Sequence, residues 1–187
     1  MAVDVATITQ QLNSLPPDKQ KEILVLLNEL SDSRGRIEAQ SKFLPFIRKM
    51  WPAFIEGSHH KIMADAFNRI ADGSLKRLII NMPPRHTKSE FASNFFPAWY
   101  LGKYPDRKII QTAHTAELAV GFGRKVRNLV GSSGYQKIFP DVSLSADSKA
   151  AGRWSTNKNG DYFAIGVGGA VTGKGADILI VDDPHSE

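Results

Sequence analysis

Two apolar runs that each lead to charged residues constrain the fold of this chain more than any other feature. The first run, LII at residues 78–80, leads through a proline-containing turn to Lys88. The second run, ILIV at residues 178–181, ends directly in Asp182. A strand, a turn and a lysine at a helix start are typical of a loop that binds phosphate. A carboxylate at the end of a buried parallel strand lies where open α/β sheets bind ligands.

The region around these runs alternates between apolar runs and helical patterns. Apolar strands that alternate with helices favour an α/β fold with a mostly parallel sheet covered by helices on both faces. We therefore predict one α/β domain over residues 41–187. Its predicted elements are strand 76–81, helix 88–101, strand 107–113, helix 115–130, a loop through residue 160, strand 161–167, a glycine-rich turn at 168–175 and strand 177–182.

Residues 1–40 have a different pattern and are predicted to form a helical N-terminal appendage. Apolar residues recur at helical spacing within 5–32, and residues 31–35 are predicted to form a loop. The apolar stripe of this helix would pack on its own domain or bind a partner. Further helices are predicted at 39–50, ending at Trp51-Pro52, and at 59–71, ending at Asp72-Gly73.

The composition favours a globular protein and excludes several other classes of protein and site. The chain has 187 residues, 42% of them hydrophobic and 23% charged, which is typical of a globular domain. No run approaches the roughly 18 apolar residues of a membrane span, and no signal-peptide pattern is visible, so we expect a cytoplasmic protein with no membrane partner. The absence of cysteine excludes thiolate zinc sites and cysteine nucleophiles. A net charge of +5 fits a polyanionic partner or ordinary surface variation.

The turn before Lys88 departs from the G-x-x-x-x-G-K-[ST] pattern of a P-loop, because Met82 and Thr87 occupy the two glycine positions. Thr87 is β-branched and tolerates a positive φ poorly. Arg85 adds a second cation that could offset weaker backbone contacts. We expect Lys88 to contact the phosphates and Ser89 to bind Mg²⁺. The alternative is a plain strand–turn–helix connection with a capping serine.

The two adjacent carboxylates complete the candidate site. Asp182 would hold Mg²⁺ through water and the Ser89 hydroxyl, and Asp183 would orient or deprotonate the attacking water. A strand that ends in Asp-Asp-Pro can also be a simple turn signal. Because both motifs occur in order on one α/β pattern, the sequence favours a nucleotide site with Mg²⁺, and the resemblance described next implies ATP as the nucleotide.

Several strings together resemble the ATPase half of tailed-phage terminase large subunits, the motors that package viral DNA into a preformed capsid. The resemblance runs from about residue 40 to the end of the chain and implies a RecA-like, additional-strand P-loop NTPase fold. Its residues are Pro83 to Glu90 (PPRHTKSE), Phe96 to Trp99 (FPAW), Leu129, Phe139-Pro140, Trp154, Thr172 to Asp177 (TGKGAD) and Ile180 to Pro184 (IVDDP).

The resemblance implies catalytic and metal-binding roles for five residues. Lys88 and Ser89 match the lysine and hydroxyl of Walker A, and Arg85 matches its arginine, which would sense or stabilise the γ-phosphate. Asp182 matches the Walker B aspartate. Asp183 stands where many terminases have the catalytic glutamate, and its side chain is shorter by one methylene.

The resemblance also implies further nucleotide contacts. Pro84, His86 and Thr87 belong to the loop that matches Walker A. His60 lies roughly where relatives have a glutamine that reads adenine, although a histidine that caps a helix is the simpler interpretation. Lys174 lies where some relatives carry an arginine finger that acts on a neighbouring subunit, but a lysine cannot make the bidentate contact of a guanidinium.

At the level of the whole protein, the resemblance implies an ATP-hydrolysing motor that moves double-stranded DNA. The implied partners are a terminase small subunit, a portal protein and further copies of the chain in a ring. The sequence stops at Glu187, so we expect the N-terminal part of a large subunit, without the nuclease domain or nuclease activity. The alternatives are another RecA-like or helicase-like DNA-dependent ATPase, or an inactive remnant that only binds DNA or a partner.

Overall fold

The computed structural model describes residues 15–147 and 150–185, so the predicted helix over 5–32 falls partly outside the described residues. The described residues form an α/β arrangement of helices and a four-stranded sheet. The chain divides into two compact units, and the boundary along the sequence lies between residues 37 and 38. The helices are α1 (Pro17–Ser41), α2 (Phe43–Met50), α3 (Ser58–Ala71), α4 (Phe96–Lys103), α5 (Ala116–Val130) and α6 (Ser133–Ile138), and the strands are β1 (Lys108–Ala113), β2 (Arg153–Ser155), β3 (Asp161–Gly166) and β4 (Ile178–Asp182).

The sheet is open and mixed, with the strand order β2-β3-β1-β4. Strand β1 pairs in parallel with both β3 and β4, whereas β2 pairs antiparallel with β3. The mostly parallel α/β sheet predicted from the sequence is therefore confirmed. Strand β2 and helix α6 lie in the stretch that was predicted to be a loop. The register pairs Ala113 with both Gly166 and Asp182, so three strands end at the same edge of the sheet.

The predicted strand at 76–81 is wrong, because these residues form no strand in the structure. Among the described strands, β4 has only β1 as a neighbour, so its other edge is free. Residues 76–81 and β4 instead line a common cleft. An apolar run favours an extended chain, but a strand also needs a neighbour for its backbone hydrogen bonds.

Two helix predictions also needed correction. Helix α1 continues through residues 31–35, where the sequence predicted a loop; a glycine inside a helix costs only about 1 kcal/mol. The predicted helix 88–101 begins at Lys88, but Glu90–Phe95 is π-helical before α4 continues to Lys103. Short π-helical segments are rare and frequently lie at functional sites. Among the described helices, none combines the length and the hydrophobicity needed to cross a lipid bilayer.

An aromatic cluster fixes the π-helical segment in the core. Phe91 and Phe96 both contact Phe43 of α2 edge-on, with ring centroids 5.6 and 5.9 Å apart. Trp99 is fully buried and donates its indole N–H to the backbone carbonyl of Ala39, at 3.0 Å. The helical segment that follows Lys88 is therefore held against a rigid core.

The helices cover one face of the sheet. On that face α5 approaches β3 closely, because a Cβ on Gly123 would contact Tyr162 and Ala164. On the opposite face of β4, Leu179 and Val181 are 63% and 52% exposed. The expectation of helices on both faces is therefore wrong for β4, since the described residues supply no second helical layer there.

Candidate phosphate and metal site

A buried carboxylate lies at the carboxyl end of β4. The side chain of Asp182 is only 6% exposed and accepts a hydrogen bond at Oδ2 from the Ser93 hydroxyl, at 2.7 Å. Ser93 is fully buried in the π-helical segment. One Asp182 oxygen is thus held by the protein, whereas Oδ1 faces Lys88 with its Nζ 3.8 Å away.

Lys88 meets both carboxylates, although 95 residues separate it from Asp183 in the chain. Its Nζ donates to Asp183 Oδ1 at 2.7 Å. This hydrogen bond, with the charges of both aspartates, raises the pKa of Lys88 above its ordinary value despite partial burial. The structure therefore brings together the lysine and the two acids that the sequence placed in one site, and the lysine there is positively charged.

The backbone adopts unusual conformations at three of the predicted site residues. Arg85, Thr87 and Asp183 have φ angles of 64°, 62° and 42°, and the fourth described non-glycine residue with a positive φ is Asn159. Such conformations cost about 1–3 kcal/mol each and cluster at functional sites. In turns with such residues, successive backbone N–H groups can form a concavity that binds anions.

His60 lies behind the loop and is only 5% exposed. Its Nδ1 accepts a hydrogen bond from the Gly57 N–H, and its Nε2 is 2.8 Å from Thr87 Oγ1. The ring stacks on Phe91 with 5.0 Å between centroids, and burial lowers the pKa of His60 below its ordinary value. An adenine could reach this imidazole only by displacing the groups that enclose it, so His60 supports the loop from inside.

Other residues predicted to contact the nucleotide are His86, Arg85 and Lys174. His86 is exposed and donates from Nδ1 to the Pro84 carbonyl at 2.9 Å, which stiffens the turn, and Arg85 is exposed beside them. Lys174 lies with its Nζ 4.2 Å above the Phe163 ring of β3. In this chain Lys174 is therefore not brought to Lys88 or to the acids.

A cleft of about 780 Å³ extends between residues 76–81 and β4. Its walls include apolar side chains, among them Leu179 and Val181 on the free strand. Its polar end is formed by Lys88 and three side chains close to it, namely Ser93, Asp182 and Asp183. The charged groups of the candidate site therefore open into a space large enough for a ligand.

The donors present fit a Mg²⁺ ion that is bound together with phosphate. The described residues contain no group of three or more histidine, aspartate or glutamate side chains that could hold a metal by themselves. Mg²⁺ is usually bound by one or two carboxylates together with water and substrate phosphates. Asp182 has one oxygen free of the Ser93 hydrogen bond, and Ser89 lies beside Lys88 at the helix start.

Ser93 is a site residue that the sequence reasoning missed. The hydroxyl that donates to Asp182 belongs to Ser93, whereas Ser89 was predicted to bind the metal. The signal was present in the sequence, since Ser93 follows Ser89 by four residues and such residues share one face of a helix. The role of Gly57 as a donor to His60 had no comparable signal.

Comparison of the chain with protein-family models, with curated proteins and with solved structures found no match. The function must therefore be inferred from the chain's own geometry. Its central feature is the convergence of Lys88 with two carboxylates beside a loop with left-handed backbone.

Proposed function

We propose that this chain binds a magnesium nucleoside triphosphate and hydrolyses it, as the ATPase core of a DNA-packaging motor of the terminase large-subunit type. The observation that carries the proposal is the contact of Lys88 with Asp183 and Asp182 at the carboxyl edge of the sheet. A lysine at a helix start and carboxylates after a parallel strand are what phosphoryl transfer with Mg²⁺ requires.

Each residue has a distinct part in the proposed reaction. Lys88 neutralises charge on the terminal phosphates, and Arg85 contacts the γ-phosphate from the exposed side of the loop. Asp182 and Ser89 would hold the metal, which when bound neutralises charge on the phosphate oxygens. Asp183 accepts a proton from the water whose oxygen attacks the γ-phosphorus, while the bond to the β–γ bridging oxygen breaks and ADP leaves.

The ion pair between Lys88 and Asp183 suggests an order of events. Without nucleotide, the same lysine that must meet phosphate is held by the proposed base, at 2.7 Å. A bound phosphate competes for Lys88 and so releases Asp183 to accept a hydrogen bond from water. The base would therefore become available only once the substrate is in place.

The RecA-like, additional-strand topology is part of the same proposal. The free edge of β4 and residues 76–81 line the same cleft. A strand inserted there would pair with β4 and cover the apolar side chains of Ile79, Leu179 and Val181, which are now exposed.

The motor role rests on the motif resemblance and on the chain's net charge of +5. Double-stranded DNA would be gripped mainly through its phosphates, so binding would weaken with salt. A small subunit, a portal and a ring of identical copies are the partners that this role implies. A helicase-like ATPase is the alternative within the same fold class.

An inactive remnant is a second candidate, and one observation favours it. Thr87 is β-branched and has a left-handed backbone at the position where a phosphate-binding loop normally has glycine. Such a protein would bind nucleotide or DNA without turnover.

Hydrolysis distinguishes these candidates. Phosphate release from Mg-ATP should be measured for the native chain, for Lys88→Ala and for Lys137→Ala, which removes an exposed lysine from α6. We expect turnover by the native chain and by Lys137→Ala, and none by Lys88→Ala. Equal background rates for all three would reject an active ATPase and favour the remnant.

A further inference from the structure

A continuous chain of hydrogen bonds joins the start of α3 to the proposed phosphate loop. The Gly57 N–H donates to His60 Nδ1 at 2.8 Å, and His60 Nε2 lies 2.8 Å from Thr87 Oγ1. The Thr87 hydroxyl lies 2.6 Å from the His86 carbonyl oxygen. The last acceptor is therefore the backbone of the loop itself.

The donor and the acceptor of each hydrogen bond in this series follow from the groups at its two ends. A backbone N–H can only donate, so Nδ1 carries no proton, and the neutral ring must then carry its proton on Nε2. His60 Nε2 therefore donates to Thr87. A carbonyl can only accept, so the Thr87 hydroxyl donates to His86. Bonds that point in one direction polarise and strengthen one another.

Thr87 needs such support because its backbone is strained. Its φ of 62° lies in the left-handed region, where a β-branched residue is an outlier. A glycine would adopt this conformation without strain. The two hydrogen bonds at the Thr87 hydroxyl hold the side chain of this strained residue in place.

We propose that His60 is a positioning residue for the phosphate loop, and this inference rests on the proposed function. By holding Thr87, His60 fixes the backbone that presents the N–H groups of the loop and the adjacent Lys88 to phosphate. A histidine and a threonine together thus replace the glycine that this turn lacks. His60 does not touch the ligand and acts through Thr87.

The alternative is that His60 only caps α3 and fills the core. Its Nδ1 bond to Gly57 and its stacking on Phe91 would satisfy that role without any contact at Nε2. The two roles use different ring atoms, so they can be separated by substitution. His60→Asn keeps an acceptor near the Nδ1 position and loses the reach to Thr87. His60→Gln keeps a donor near the Nε2 position and loses the acceptor for Gly57.

The test measures binding of Mg-ADP by calorimetry and backbone hydrogen exchange of the loop without ligand. Both are measured for His60→Asn and His60→Gln, in the native background and in Thr87→Gly. We expect His60→Asn to weaken Mg-ADP binding by about 2- to 13-fold, the equivalent of one hydrogen bond. We expect His60→Gln to weaken it less. In the Thr87→Gly background, His60→Asn should have no additional effect.

A second pair of variants changes Thr87, the other partner in the same contact. These variants test the contact even if the His60 variants misfold. Thr87→Val keeps the β-branched shape and removes the hydroxyl, whereas Thr87→Ser keeps the hydroxyl. We expect Thr87→Val to weaken binding as much as His60→Asn does, and Thr87→Ser to weaken it less.

Three results would overturn the positioning role. They are an equal effect of His60→Asn in both backgrounds, a greater loss in His60→Gln than in His60→Asn, and equal binding by Thr87→Val and Thr87→Ser. If the native chain binds no Mg-ADP, the proposed function fails, and hydrogen exchange still decides the positioning role. Exchange at residues 86–88 should then rise in His60→Asn only when Thr87 is present, and an unchanged rate would overturn the inference.

Discussion

The ion pair between Lys88 and Asp183 leads to a prediction in which binding and hydrolysis change in opposite directions. In the free protein Asp183 holds the lysine that phosphate must recruit, at 2.7 Å. Asp183→Asn removes the carboxylate charge and keeps the side-chain shape. We expect this variant to bind metal-free ATP more tightly than the native chain and to hydrolyse Mg-ATP far more slowly.

The size of the gain follows from the exposure of the pair. The Asp183 side chain is 66% exposed and that of Lys88 is 26% exposed, so solvent screens much of their attraction. Ion pairs of this kind contribute about 0.2–1 kcal/mol, which corresponds to about 1.4- to 5-fold in affinity. Lys88 keeps its charge in the variant, because the ordinary pKa of a lysine, about 10.4, already lies far above neutral pH. Loss of a general base lowers turnover by about 10²- to 10⁴-fold.

The assay is titration of ATP in the presence of EDTA, followed by phosphate release with Mg²⁺ on the same preparations. EDTA removes any contribution of a carboxylate that binds metal, so the first measurement reports how far the Asp183 charge opposes ATP, both by holding Lys88 and by repelling the phosphates. The gain in affinity should shrink as salt is added, because exposed charges are screened. Weaker binding of metal-free ATP by Asp183→Asn than by the native chain would refute the proposed competition.

Three further predictions follow from other contacts. Ser93→Ala leaves the buried Asp182 without its donor and should lower the free energy of unfolding by about 1–3 kcal/mol in denaturant titrations, whereas Ser89→Ala should lower it less. The free energy of unfolding should also fall as the pH drops below 6.5, the ordinary pKa of a histidine. In the folded chain burial and the neighbouring His59 lower the pKa of His60 below this value, and the opposing effect of Glu56 is smaller. The unfolded chain then binds the extra proton, so thermal melts of His60→Asn should show a weaker pH dependence, and an identical dependence would contradict this assignment. Finally, Leu179→Lys on the exposed face of β4 should reduce self-association, as measured by light scattering. The reason is that an apolar strand with a free edge favours pairing with another chain. Unchanged association would show that this face is not responsible.

The sequence predicted most of the elements that position the site. The apolar runs of β1, β3 and β4 and the helical pattern of α5 were assigned to within a residue or two, because their periodicity is local. The strand at 76–81 was wrong since pairing depends on a neighbour, which a local pattern does not reveal. The π-helical turn also has no simple sequence signal.

Within the candidate site, too, the sequence predicted some contacts and missed others. The spacing of Lys88 and the strand-end acids indicated which residues would meet, because parallel strands end at one edge of a sheet. The contact between Ser93 and Asp182 and that between His60 and Thr87 depend on how a helix packs against a loop. Packing of this kind becomes visible only in three dimensions, so the sequence offered helix capping and, through the resemblance, adenine as roles for His60, but not Thr87 as its partner.

The most direct test of the central claim is whether Mg-ATP stabilises the folded chain through Lys88. A ligand at 100 times its dissociation constant raises the free energy of unfolding by about 2.7 kcal/mol. Thermal melts with and without Mg-ATP should show such an increase for the native chain and for Lys137→Ala, and a much smaller one for Lys88→Ala. No stabilisation of the native chain at millimolar Mg-ATP, or equal stabilisation of Lys88→Ala, would contradict a phosphate site at Lys88.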